Sequence, residues 1–428
     1  MTLLLPHYQV AAAALVILVF LTGLFFLLGR ERNRVGRSFR LASLIVGVLL
    51  FVLSCPLLLY LAYGFYLHII FTPQVPVGEV QAVALADLNG SGYLDAYLAV
   101  GGGSSSFYNY SRPDRILFNE GHGRFYDSQQ ELSTWHTSSV VLGDVNDDGH
   151  VDILISPGPG LRLHLNNGYG RFDRGSFVLP DSAAVSAGLN AALADLNGNG
   201  RLDIVACCGL RVWLNEGHGY FPRSHQTRPL SGRAAIALGD LNGNGFPDAF
   251  IAPAGYVNQD GSREGTANSV WFNDGQGRLN DSGQQLGQME STAVILGDLN
   301  GNGFLDVVVG NDGADEIWFN EGAANFSNSR QQLGNGRTRA LFLADLNGNG
   351  YLDLVISSTV SGQVWLNDGS GRFEVGQQID YEADEAIAVG DVTGDGIVDI
   401  FVAGVESYQV WRGQGNGRFM ADPRANFR

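Results

Sequence analysis

The chain contains no lysine, since all 26 of its basic residues are arginine. That absence excludes Schiff-base catalysis and any Walker-type phosphate loop, both of which need an amine. Cysteine is almost as scarce. Cys55 lies in an apolar run, and Cys207 and Cys208 are adjacent on an expected strand. Neighbouring strand residues face opposite ways, so no disulfide framework is expected, and metal is the natural substitute for covalent staples. Positive charge is also short: 43 acids give a formal net charge of −17. Five arginines and one acid, Glu31, fall in the first 71 residues, so the remainder is more acidic still. Nucleic acid is therefore not an expected partner. No nucleophile motif or dinucleotide fingerprint is present, because the glycine-rich stretches follow Asn and Asp turns with no helix after them. His122 and His218 repeat one turn position, while His136, His164 and His225 show no metal-ligand spacing. With no acid/base pair to nominate, the chain reads as a non-enzyme.

What the sequence does have is repetition. An acidic loop, Asp-x-Asn-x-x-Gly-x-x-Asp, occurs seven times after residue 80, each copy flanked by apolar strand-like runs. Successive copies are 45 to 58 residues apart, the period of a four-stranded propeller blade. Each period holds four short apolar runs bounded by Gly, Asn and Asp turns, the pattern of an antiparallel meander. A second turn, Asn-x-Gly-x-Gly-x-Phe, sits between the third and fourth runs, beginning at Asn119, Asn166, Asn215, Asn273, Asn320, Asn367 and, in variant form, Gly413. Its Phe is expected to pack between blades. Trp213, Trp271, Trp318, Trp365 and Trp411 share one place on the third strand and read as blade-packing core. The fold class is all-β: a seven-bladed propeller over residues 80–428.

The amino-terminal region differs. Residues 10–29 form an apolar run long enough to span about 30 Å of hydrocarbon. A second run covers 41–63, and Arg30, Arg32, Arg34, Arg37 and Arg40 lie between the two. No positive segment precedes the first run, which argues against a cleavable signal. Residues 1–71 therefore read as a two-helix transmembrane hairpin anchor, with 72–79 as a linker. The arginine-rich loop is placed in the cytoplasm, and both termini and the propeller on the periplasmic or extracellular side.

The acidic loops suit calcium, a hard ion that takes six to eight oxygens. Positions 1, 3, 5 and 9 would supply them. In blade one these are Asp87, Asn89, Ser91 and Asp95; in blade two Asp144, Asn146, Asp148 and Asp152. Blade three offers Asp195, Asn197, Asn199 and Asp203, and blade four Asp240, Asn242, Asn244 and Asp248. Blade five has Asp298, Asn300, Asn302 and Asp306, and blade six Asp345, Asn347, Asn349 and Asp353. Blade seven has Asp391, Thr393, Asp395 and Asp399. Three carboxylates each in blades two and seven make those the tightest expected sites, and up to seven ions would relieve the acidic self-repulsion. The alternative for each loop is an Asn-Gly turn without metal. Position 7 varies in type, as expected if only its carbonyl is used.

Seven in-phase loops of the ADLNGNGYLD kind with WLNDGSGRF turns resemble the FG-GAP and VCBS repeats of integrin alpha-subunit propellers and their bacterial relatives. The resemblance covers about Val80 to Phe419. It implies a seven-bladed propeller with calcium in the loops joining first and second strands. An inserted adhesion domain and a carboxy-terminal membrane helix are missing, so integrin-like adhesion does not carry over.

The calcium loops and the Asn-x-Gly turns should share one face. On the other face two connections are enlarged, in blades one and four, and they carry Phe107, Tyr108, Tyr110, Arg112, Tyr256 and Arg263, types enriched in interface hot spots. The expected function is a membrane-anchored, calcium-stabilised protein-binding or scaffold module, an accessory subunit of a membrane complex. Its partners are then membrane lipid, through the helices, and another membrane or extracytoplasmic protein. A glycan-binding propeller is the alternative, and a propeller hydrolase or oxidoreductase a third.

Overall fold

The computed structural model describes residues 79–101, 113–133, 137–157, 160–172, 177–179, 190–207, 209–222, 224–228, 233–257, 263–382, 385–422 and 425–426. The two expected membrane helices lie outside these residues, as do Phe107, Tyr108, Tyr110 and Arg112. Among the described residues no helix is long and apolar enough to cross a membrane. The chain divides after Val75, and the described residues all belong to the second unit, Pro76–Arg428.

The second unit is a seven-bladed propeller. Blade one is a four-stranded meander of Glu79–Ala86, Asp95–Gly101, Arg115–Asn119 and Phe125–Asp127. The other six repeat it, with first strands Thr137–Gly143, Ala191–Ala194, Ala234–Gly239, Ser291–Gly297, Thr338–Ala344 and Ala386–Gly390. Every second strand opens on the position-9 aspartate of its acidic loop, paired with the last residue of the first strand. The second strands are buried along their whole length, as in Asp306–Asn311, except at Pro253, which ends that of blade four. This burial explains why they read as continuous apolar runs. First strands neighbour one another in sequence, and that of blade seven meets that of blade one. The ring is closed.

Closure uses no exchanged strand. Blade one is wholly built from the first repeat. Blade seven completes itself with Phe419–Ala421, and the tail residues Ala425–Asn426 also pair with its third strand. The seam is held instead by packing and by hydrogen bonds such as Asn119 Nδ2 and Gly123 N to Val392 O. Phe125 of blade one lies against Phe401 and Tyr408 of blade seven, with ring centroids 4.6 and 5.3 Å apart. The other turn aromatics, including Phe172, Phe221 and Phe373, likewise enter cores shared with the preceding blade. Trp213 and Trp271 are buried in the same way, and Trp318, Trp365 and Trp411 pack against those cores.

Blades also match one another by size. Four first strands end in Gly, and a Cβ there would meet a Leu of the next blade: Gly143 with Leu202, Gly239 with Leu305, Gly297 with Leu352 and Gly390 with Leu94, all within 2.9 Å. Where the strand ends in Ala instead, at Ala86, Ala194 and Ala344, the next blade carries the smaller Val151, Pro247 or Val398 at that place. One methyl added on one blade is removed from its neighbour, as close packing requires.

Gly239→Ala should therefore cost about 1 kcal/mol or more, because Leu305 Cδ1 would sit 2.6 Å from the new Cβ, an overpacking penalty. Adding Leu305→Val should restore most of the loss. Urea midpoints of the two single variants and the double variant check this, and additive losses would refute it.

Candidate metal-binding loops

Each acidic loop is wound around its own side chains. In all seven, the position-1 aspartate accepts the position-6 Gly N–H on one oxygen, at 2.7–2.9 Å, and the position-5 N–H on the other, at 3.0–3.2 Å. The position-3 Asn accepts that same position-5 N–H in blades one to six. Position 5 in turn accepts the position-7 N–H. This winding needs left-handed backbone at positions 4 and 6. Glycine supplies it everywhere except position 4 of blade two, where Asp147 takes φ 61°.

Position 9 does a second job. Its carboxylate accepts the backbone N–H of position 2 at 2.9–3.1 Å and the N–H of the residue that starts the turn after the third strand at 2.7–2.9 Å, in every blade. All seven of these aspartates are buried. Burial pushes Asp95, Asp152, Asp203 and Asp306 up to about 6, against the amides that favour the charge. Asp248, Asp353 and Asp399 are raised for the same reason.

The third-strand Asn then carries the link to the preceding blade. Asn119 Nδ2 donates to Val392 O, Asn166 to Leu88 O, Asn215 to Val145 O, Asn273 to Leu196 O, Asn320 to Leu241 O and Asn367 to Leu299 O, at 2.7–2.8 Å. Each acceptor is the position-2 carbonyl of the neighbouring acidic loop. Sequence reading took these Asn residues only as turn starters. Their identical spacing from the loops was the signal available.

Among the described residues no group of three His, Cys, Asp or Glu side chains gathers as a metal cluster. The loops present mixed sets instead: two or three carboxylates with Asn amide oxygens, all hard donors suited to calcium. Asp87, Asp144, Asp195 and Asp298 accept one loop N–H on each oxygen and so have lone-pair capacity to spare, whereas Asp95 accepts two hydrogen bonds on each. In loop seven Thr393 replaces the position-3 Asn and lies buried beside Asp399. On donor chemistry the loops fit the ion. Bound there, calcium would supply charge neutralisation, and positions 1, 3 and 5 would hold it with position 9 behind them.

Position 7 has more than a carbonyl role. Tyr93, His150, Phe246, Phe304 and Tyr351 lie over the turn glycines Gly121, Gly168, Gly275, Gly322 and Gly369, where a Cβ would approach them within 3.2 Å. On the opposite face, Tyr256 and Arg263 belong to a separate hairpin, Tyr256–Val257 paired with Arg263–Glu264. Two more buried acids went unnoticed in the sequence. Asp114, just before the third strand of blade one, and Asp315, which begins that of blade five, accept the hydroxyls of Thr137 and Thr338 from the next blade, at 2.6 and 2.8 Å. Asn268 occupies the same place in blade four and accepts from Ser291.

Matches to known proteins agree with this architecture. FG-GAP-like repeats are matched over residues 87–155, 144–206, 298–356 and 345–402, more than half of the chain. No curated protein matches it. A lectin from Agrocybe aegerita, described as recognising non-reducing terminal N-acetylglucosamine, is 21% identical, with a TM-score of 0.51 over 73% of this chain and 87% of its own. A Lactobacillus plantarum protein is 10% identical, with a TM-score of 0.53 over 78% of this chain and 96% of its own. At these identities the likeness is one of fold.

Burial pushes the Asp315 carboxyl up to about 7 from an ordinary value near 3.8. The folded protein thus holds a proton that the unfolded chain has released, so this group's contribution to stability falls as pH rises from about 4 to 7. Asp315→Asn, the residue type blade four already uses, removes that loss. Its denaturation midpoint relative to wild type should be higher at pH 8 than at pH 5, at fixed calcium. A pH-independent difference would rule the assignment out.

Proposed function

The chain belongs to the FG-GAP-like repeat family, and on that footing we propose a membrane-anchored, calcium-stabilised binding propeller on the extracytoplasmic side, with no catalysis of its own. The observation that carries this reading is the inequality of the second-to-third connections. In blades five, six and seven, only three residues separate Asn311 from Asp315, Ser358 from Gly362 and Ala403 from Ser407. In blade four, residues 254–267 intervene and form a hairpin with its own pairing, outside the blade's sheet. The fold does not need this elaboration, since sibling blades do without it. An added hairpin on a rigid scaffold is where recognition concentrates. It carries Tyr256 and Arg263, and the enlarged blade-one connection carries Phe107, Tyr108, Tyr110 and Arg112. The two apolar runs at 10–29 and 41–63 would anchor the propeller, so its partner is a membrane or extracytoplasmic protein, with this chain as an accessory subunit.

The second reading is glycan binding, favoured by one groove. Between blades one and two a cavity of about 560 Å³ is lined by Phe118, Asn167, Tyr169 and Arg171. Tyr169 is 81% exposed at the tip of its turn. An open aromatic face beside amide and guanidinium donors suits a sugar ring.

Purification in mild detergent with calcium should yield a stoichiometric protein partner. Replacing residues 254–267 by a three-residue turn should lose that partner while leaving the thermal transition within a few degrees. A monomer without a partner, together with binding on a glycan array that Tyr169→Ala abolishes, would move the assignment to the second reading.

A further inference from the structure

One joint between blades is built twice, and the two copies differ in what they show to solvent. Between blades one and two, Gln130 Nε2 donates to Gly170 O at 2.7 Å and its Oε1 accepts the Phe172 N–H at 3.2 Å. Between blades five and six, Gln331 makes the same pair of bonds with Gly371 O and the Phe373 N–H, at 2.8 and 2.9 Å. In each copy the turn glycine lies on a third-strand Phe: a Cβ on Gly170 would fall 2.6 Å from Phe118, and one on Gly371 2.5 Å from Phe319. The frame is the same.

Its outer side chains are not. In blade six they engage one another, since Ser370 Oγ donates to Asp368 Oδ1 at 2.6 Å and Arg372 lies 3.8 Å from Glu374. Blade two has Asn167, Tyr169 and Arg171 at the places of Asp368, Ser370 and Arg372. Asn167 Oδ1 accepts the backbone N–H groups of Tyr169 and Arg171, at 3.0 and 3.2 Å. Those two bonds fix the amide plane. Among the described residues, its Nδ2 and the Arg171 guanidinium have no hydrogen-bond or ion-pair partner. Tyr169 stands out into solvent where the sibling turn has a serine. Tyr126 adds a second aromatic, edge-on to Phe118 at 5.8 Å between centroids, where blade five has Ser327 opposite Phe319. The joint needs none of this to close, because its sibling closes without it.

The chemistry of these groups selects a ligand. The face of an aromatic ring carries partial negative charge and attracts weakly positive C–H groups. A pyranose with equatorial hydroxyls offers a face made only of axial C–H bonds. Its hydroxyls lie around the ring plane, within reach of amide and guanidinium donors at the edge of the aromatic. The cleft is lined by one basic residue, Arg171, and one acid, Glu131, so it has no net charge with which to select an ionised sugar. The chain's 43 acids against 26 basic residues further disfavour polyanions.

We infer that the cleft between blades one and two binds a neutral pyranose with equatorial hydroxyls, its ring seated on Tyr169 and its hydroxyls accepting from Asn167 and Arg171, while the sibling joint between blades five and six binds none. The inference rests on the glycan reading above and adds the class of sugar and the residues that select it. A site at this turn leaves the hairpin of blade four free for a protein partner.

The test is a glycan array followed by titration calorimetry, on the full chain in mild detergent with calcium. Cellotetraose, neutral and all-equatorial, should bind, and the anionic tetragalacturonate should bind at least about tenfold more weakly. Tyr169→Ala should weaken cellotetraose about tenfold or more, as loss of a stacked ring implies. Tyr169→Phe keeps the ring and should hold affinity within about threefold, and Ser370→Ala should leave it unchanged. Because Tyr169 is exposed, its variants should keep the wild-type thermal transition, which separates lost binding from lost fold. Binding confined to anionic sugars would leave glycan binding standing and overturn the sugar class. Neutral-sugar binding that Tyr169→Ala does not alter would overturn the cleft as the site. No binding to any glycan would overturn both the inference and the reading beneath it.

Discussion

Seven aspartates, each taken out of water at the start of a second strand, are what the ring depends on. An isolated carboxylate in such a place is costly, and the cost is offset by amides from two different segments, the acidic loop and the end of the third strand. Each aspartate therefore fixes the loop against the turn. Once that is done, the turn's Asn side chain is aimed at the previous blade. Local charge satisfaction and blade-to-blade attachment are the same event, repeated around the axis, and removing one carboxylate would release both. The raised pKa values show that the amides do not fully compensate burial, which is where a divalent ion in front of the carboxylate would help most.

The division of labour between faces follows. The face with acidic loops is crowded with turns that brace one another, including position-7 rings lying over neighbouring glycines. Little of it is free to vary. The opposite face is made of connections that three residues can span, so the chain can lengthen one of them at small entropic cost. Blade four shows that liberty used.

Much of this was legible in the sequence. The period, the strand count and the shared face of the two turn types followed from Asp-x-Asn-x-x-Gly-x-x-Asp and Asn-x-Gly recurring in phase, because local turn chemistry leaves a local signature. What stayed hidden was pairwise and distant. Gly239 and Leu305 are 66 positions apart, and neither is unusual alone. The double duty of Asn273, a turn residue that also donates to Leu196 O, could not be separated from its turn role by spacing. Position 7 was read as indifferent because its residues differ in type, yet Tyr, His and Phe all lay a flat ring on the same glycine. Strand closure of blade seven was open for a simpler reason: Phe419–Ala421 and the tail at Ala425–Asn426 both pair with the third strand, and pattern alone does not choose between them.

Each blade is one uninterrupted stretch of chain, with its four strands in sequence order and nothing borrowed from a neighbour. The ring can therefore be opened at any blade boundary without dividing a sheet, so circularly permuted chains that start at blade three or blade five remain compatible with the same contacts. Growth by tandem duplication is open to such a chain on the same terms, but only where a Gly-ended blade precedes a Leu-bearing one or an Ala-ended blade precedes one bearing Val or Pro. The size match at those boundaries acts as a rule of adjacency: it orders the blades, and makes a shuffled ring a poorer solid than the native one.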